Sequence, residues 1–268
     1  MKEDHMLNGQ LKPAYNLQHG VDAGYITWLT INPNPTDTKT LIPFMKEMER
    51  NLGFKYTEVV ADAGYESEEN YLFLEKNGQA AYIKPNNYEL SKKRKFKKDI
   101  GRMENMGYDA ENDTYICKND QKLTVQYESE KKTATGYTRI TTVYQCDSCD
   151  GCPYKTDCIK GNHCKTPMEQ RKKTLYVSKT MKQKREEYLK RLTSSYGIRL
   201  RVNRSIQAEG SFAAVKQDME FRRYLYCGKG NVTAQSILLA IAHNINKLHH
   251  KIQSGKTGQH LFEVKETT

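Results

Sequence analysis

The sequence predicts a mixed α/β fold that is interrupted by a small β-rich insertion and completed by a helical C-terminal part. Three observations carry this reading. Up to residue 85, apolar residues alternate between period two and helical spacing in the order β-β-α-β-α-β. From Asn86 the chain turns strongly basic, then strand-like around a cluster of cysteines. After Leu175, helical spacing persists nearly to the end. The expected parts are a first portion of the core at 1–88, the insertion at 89–174, a helical completion at 175–256 and a polar tail at 257–268.

Residues 15–21 and 25–31 read as two strands joined around Asp22-Ala23-Gly24, a hairpin signal between apolar-polar runs. Asn34-Pro35-Thr36-Asp37 stops the second strand and offers an N-cap. Leu41, Ile42, Met45 and Met48 then recur at helical spacing up to Gly53. Residues 57–62 are β-branched and end in Asp62, which reads as a buried strand with an acid at its carboxyl tip. A helix over 67–77 and a short strand over 79–85, stopped by proline, complete this part. Six basic residues fall between Lys92 and Lys98, with Phe96 as the apolar anchor. Residues 113–117, 123–128 and 139–146 alternate like strands of a small antiparallel sheet. Helices are expected over 181–193, 206–223 and 234–252.

The 268 residues suffice for one large domain carrying an insertion. Lysine and arginine number 43 against 32 acids, a net charge of +11 that favours a polyanionic partner over an acidic small molecule. The longest apolar run, near residues 236–242, is far short of a membrane span, and the N-terminus lacks the apolar stretch of a signal peptide. A cytoplasmic, DNA-facing protein is expected. Seven cysteines, an odd number, with four between Cys146 and Cys158, point to a metal cluster in a reducing compartment more than to a disulfide framework.

Four constellations can carry chemistry. Asp62 stands beside Ala63-Gly64, where glycine permits close approach of a ligand; it either caps a turn or holds a divalent metal. Glu209 and Lys216, spaced through Ala213 by four and three residues, share a helix face and present a carboxylate and an ammonium to one target. Cys146, Cys149, Cys152 and Cys158, with Cys117 upstream and His163 and Cys164 just behind, supply enough thiolates for a tetrahedral Zn²⁺ site; free thiols are the other reading. The basic runs at 92–98 and 171–204 suit contacts with DNA phosphates. His243, His249 and His250 read as surface or packing residues.

Five ordered blocks, EDHMLNGQLKPAYNLQ, NPTDTKTLIP, VVADAGYESEENY, CDSCDGCPYKTDC and RVNRSIQAEGSFAAVKQDMEFRRYLYCGKGNV, together resemble bacterial insertion-sequence transposases of the DDE class. The resemblance implies an RNase H-like mixed sheet with flanking helices. It also implies Mg²⁺ (or Mn²⁺) at carboxylates, and strand cleavage and strand transfer on double-stranded DNA at transposon ends and target, by a homo-oligomer. Asp62 matches the second catalytic acid, Glu209 the third and Lys216 the basic residue seven positions later. Arg204 lies five residues before the glutamate where the family has four, and Val202 stands where an aromatic residue is usual. The family's opening strand, with its first aspartate, has no counterpart; Glu3 and Asp4 are the acids that precede the first strand. The expectation is therefore an N-terminally incomplete, inactive transposase, with a DNA-binding remnant or regulator as the alternative.

Overall fold

The computed structural model describes residues 2–3, 9, 11–12, 14–161 and 164–263, with the backbone alone at 2–3 and 11–12. The fold is mixed α/β in two compact units, residues 1–84 with 188–268 and residues 85–187.

The first unit opens with the short antiparallel pair β1 (Lys2–Glu3) and β2 (Leu11–Lys12). The expected hairpin follows as β3 (Asn16–Asp22) and β4 (Tyr25–Asn32), antiparallel, with a register shift after Gly20. Ala23 and Gly24, both at positive φ, make its turn. Helix α1 (Leu41–Leu52) buries Leu41, Phe44, Met45 and Met48, the apolar stripe seen in the sequence, and Gly53 in the left-handed region ends it. Strand β5 (Glu58–Ala61) lies parallel to β6 (Ala80–Ile83), and α2 (Glu68–Lys76) connects them. Ser67 caps α2 by accepting from the Asn70 N–H at 3.1 Å.

The second unit begins with two short helices, α3 (Tyr88–Ser91) and the basic α4 (Arg94–Lys97). Phe96 is buried with the Arg102 guanidinium 4.3 Å from its ring centroid, while the lysines around it are exposed. A five-stranded antiparallel sheet follows: β7 (Gly107–Asp109), β8 (Thr114–Ile116), β9 (Lys122–Lys132), β10 (Thr138–Cys146) and, after α5 (Lys155–Cys158), β11 (Thr174–Val177). The three sequence-predicted strands are its middle. The outer two, β7 and β11, were not expected from the sequence. Its core joins Tyr115, Leu123, Tyr144, Cys146, Cys149, Leu175 and Val177.

Helix α6 (Lys179–Thr193) leads back into the first unit. There α7 (Ser195–Arg204), a π-helical turn (Ser205–Glu209), α8 (Gly210–Ala213) and a second π-helical turn (Ala214–Asp218) form one winding segment. It starts earlier and stops sooner than the helix expected over 206–223. Gly197 permits the start, because a Cβ there would strike the carbonyl oxygens of Arg191 and Leu192. Helix α9 (Lys229–Gln253) packs on β4, where Ala240 meets Ile26 and Leu29. Asn244 clamps both backbone groups of Ile26, at 2.8 and 2.9 Å. Part of the expected polar tail is docked: Asn203 bonds the backbone N–H and C=O of Phe262, and Lys251 donates to the Gln259 carbonyl at 2.8 Å. Residues 264–268 of that tail lie outside the described residues.

Two substitutions test this framework. Ser67→Ala should lower stability by about 1 kcal/mol through loss of the α2 cap. Gly197→Ala should cost more, roughly 1–3 kcal/mol, because its neighbours are backbone and cannot yield. Urea unfolding followed by circular dichroism reads both.

Candidate functional site

Strands β3 and β5 are the rails of the site. Their neighbouring residues face different layers, as the strand pleat requires. A Cβ at Gly20 would meet the Phe44 ring, at 3.0 Å, and the Met48 sulfur, at 3.5 Å. Next to it, His19 stacks on Phe212 at 4.2 Å between ring centroids and 5° between planes. Helix α1 therefore covers one face of β3 and the α7–α8 segment the other. A cavity of about 480 Å³ runs along the two strands, lined by all of β3 and β5.

Asp62 sits at the tip of β5, where the chain turns. One carboxylate oxygen accepts from the Ala63 N–H at 2.6 Å, so the capping role is realised. The other lies 3.4 Å from Nη2 of Arg204, whose Nη1 is 3.3 Å from the Glu209 carboxylate. Two acids far apart in sequence are thus gathered on one guanidinium. Their side chains are 52% and 64% exposed, Arg204 only 25%. Exposed ion pairs of this kind contribute about 0–1 kcal/mol each, so a competing cation can displace the guanidinium at little cost. Asp37 approaches from the other side: it accepts from Asn16 Nδ2 at 2.6 Å, and a Cβ at Gly64 would lie 2.9 Å from its carboxylate. Burial, then the Asp37 charge, push the Tyr65 hydroxyl well above the ordinary tyrosine range.

Lys216 stands apart from this cluster. Its ammonium lies 5.5 Å from the Phe212 ring centroid, and it is not among the residues that line the cavity. Glu3 is described by its backbone alone, and Asp4 lies outside the described residues.

Sequence reasoning missed three residues here. Arg204 lay outside the helix expected over 206–223, and its reach to both carboxylates was not foreseen. Asp37 read only as a cap. His19 gave no signal, since a histidine in a strand is ordinary. It is nevertheless held neutral: burial, followed by His243 and then Lys216, pushes it down to about 4. Its Nδ1 is 3.3 Å from the Ser211 hydroxyl. His243 proves a packing residue, buried with Nε2 3.0 Å from the Gly24 carbonyl.

In the second unit, Cys117, Cys146, Cys149, Cys152 and Cys158 line one small cavity of about 20 Å³. Burial first, and then the hydrogen bond with Cys149, push the Cys146 thiol up to about 12. Burial also raises the Cys158 thiol, opposed by Lys173. The Lys173 backbone N–H donates to Cys149 Sγ at 3.3 Å. Cys164 and Cys227 are exposed, and His163 lies outside the described residues. Among the described residues no group of three or more acidic, histidine or cysteine side chains is arranged to hold a metal ion. None of the described helices is long and apolar enough to cross a membrane.

Two carboxylates are thus gathered on one cation in a chain with a basic surplus. The model of a family described as the transposase DDE domain matches residues 116–249, half of the chain, and the protein belongs to that family. The matched span holds Arg204, Glu209, Lys216 and the five clustered cysteines, while Asp62 precedes it. No curated protein and no solved structure matches the chain.

The His19 environment has a pH signature. Its folded value lies below its unfolded value near 6.5, so the unfolded chain binds the extra proton. Stability should be full above pH 6.5 and fall as the pH drops toward 4, by at most about 1.4 kcal/mol per unit. His19→Gln should flatten that slope in urea melts taken across this range.

Proposed function

We propose that the protein is a DNA transposase whose catalytic carboxylates are Asp62 and Glu209, acting on double-stranded DNA at transposon ends and target on an RNase H-like core. One observation carries the reading: Arg204 holds both carboxylates at 3.3–3.4 Å from one cation, in a chain of the transposase DDE family. Exposed oxygen donors of this type suit Mg²⁺ or Mn²⁺. Such an ion would supply Lewis-acid polarisation of the scissile phosphate and activation of the attacking oxygen. Asp62 and Glu209 would hold it, with Arg204 keeping the two acids in place against mutual repulsion until it arrives. Lys216, exposed and two turns past Glu209, would hold a phosphate beside the reacting one.

The basic segment 92–98, which includes helix α4, supports DNA contact, since its exposed lysines and arginine ride on a segment pinned by Phe96. The family also supports action as a homo-oligomer. A structural Zn²⁺ in the second unit belongs to the same reading and would require the thiols to draw together from the arrangement seen. Four of them, Cys146, Cys149, Cys152 and Cys158, are the proposed ligands, and Cys117 is beside them.

Three measurements test these roles. Asp62→Ala or Glu209→Ala should abolish Mg²⁺-dependent cleavage of DNA carrying the element's ends and leave DNA retention intact; unchanged cleavage refutes the assignment. Retention should weaken steeply with salt, and replacing three of Lys93, Arg94, Lys95 and Lys97 by glutamine should lower the log–log salt slope by about 2–3. Elemental analysis should find about one zinc per chain, lost in Cys149→Ser together with a fall in melting temperature.

A further inference from the structure

The basic residues of the second unit fall into two groups that the sequence does not tell apart. Lys93, Arg94, Lys95, Lys97 and Lys98 are exposed, and their side chains make no bond among the described residues. The run Arg171-Lys172-Lys173 is turned the other way, onto main-chain oxygens. Arg171 donates to the carbonyls of Thr166, Gly161 and Cys164 at 2.6, 2.8 and 2.9 Å, and Lys172 to that of Asp147 at 2.7 Å. Lys173 donates to the carbonyls of Gly101 at 2.6 Å and Cys158 at 3.1 Å. Hydrogen bonds from a charged donor are about twice as strong as neutral ones, so cations engaged in this way are held back from phosphate.

Lys173 differs from its neighbours in what it joins. Its main chain belongs to the cysteine loop: the Cys146 N–H donates to its carbonyl at 2.9 Å, and its own N–H donates to Cys149 Sγ at 3.3 Å. Its ammonium bridges that loop to residue 101, where the fit is close, since a Cβ at Gly101 would run into the Cys158 carbonyl oxygen. Lys160 adds an ion pair with Asp99 at 2.6 Å. From Asp99 the connection continues to the basic segment. Asn105 Nδ2 donates to the carbonyls of Asp99 at 2.9 Å and Phe96 at 2.6 Å, and the Arg102 guanidinium covers the Phe96 ring. Helix α4, which carries three of the free cations, is four residues long, too short to hold itself. Its place is set by residues 99–105, and Lys173 clips these to the cysteine loop.

We infer that Lys173 is a positioning residue for DNA: it meets no phosphate itself, but fixes segment 92–98 so that the exposed cations there meet one duplex together. Arg171 and Lys172 hold the cysteine loop and not DNA. The inference rests on the reading of 92–98 as a DNA contact. Its consequence is a loss of phosphate contacts out of proportion to the charge removed. Deleting one direct contact lowers the log–log salt slope by about one, whereas releasing the segment removes several contacts at once.

The test is retention of a plain DNA duplex by the full-length protein across a salt series. Lys172→Gln should leave the slope unchanged. Lys173→Gln removes the same single charge and should lower the slope by about 2–3, and Lys173→Arg, which can still bridge two carbonyls, should restore it. Gly101→Ala touches no charge and should lower the slope as Lys173→Gln does, while amide exchange at Leu123 and Tyr144 stays slow because the sheet core is intact. Added to the variant in which three of Lys93, Arg94, Lys95 and Lys97 are glutamine, Lys173→Gln should have no further effect. A fall in Lys172→Gln, a fall of one or less in Lys173→Gln, no rescue by arginine, an unchanged slope in Gly101→Ala, or an additive loss in the combined variant would each overturn the inference and leave the DNA contact at 92–98 standing. A wild-type slope in the triple glutamine variant would overturn that contact and this inference with it.

Discussion

Strand β3 is packed from both faces, and the first unit is built around that layering. Gly20 points at Phe44 and Met48, its neighbour His19 at Phe212, so one strand requires helices on two faces. Glycine at position 20 leaves room for the Phe44 ring, and the flat stack of imidazole on Phe212 draws the α7–α8 segment close. Once that segment is seated, Arg204 has no choice of neighbours: it emerges at the end of the strands, beside Asp62. The polar cluster is a consequence of apolar layering, which also explains why its acids can remain so exposed.

Charge is distributed in the same hierarchical way. Much of the lysine and arginine surplus is exposed, as along residues 92–98, where each side chain contributes little to stability. The acids that matter are collected at strand ends and held by few partners. A site built from weak, exposed ion pairs can exchange one cation for another without disturbing the layers beneath it, while Cys146 and Cys149 are buried in the sheet core of the second unit.

Much of this was legible in the sequence. Period-two runs ending in Asp22-Ala23-Gly24 and the Leu41–Met48 stripe gave the hairpin and α1 because burial on one face leaves a periodic trace. Asp62 was legible as an acid at a strand tip, though both of its roles, cap and ion-pair partner, turned out to be held at once. Strand β7 was hidden by Gly107 and Asp109, residue types depleted in strands. His19 and Asp37 were hidden for a different reason: their surroundings come from segments far away in the chain, and no local pattern records them. The docked stretch near Phe262 looked like a solvated tail because Asn203, which holds it, bonds backbone atoms and imposes no residue type.

The π-helical turn at Ser205–Glu209 bears on the spacing of Arg204. The resemblance implies four residues' separation between arginine and glutamate, and this chain has five. In a regular α-helix one added residue rotates everything beyond it by about 100°, enough to turn the guanidinium away from the glutamate. A π-turn closes its hydrogen bonds over five residues and takes up that residue within a single widened turn. The insertion is thereby confined to local geometry, and the helix face beyond it keeps its aim. Motif spacing in such a helix is thus not a fixed count, and a search that demands one spacing would pass over chains whose side chains still meet.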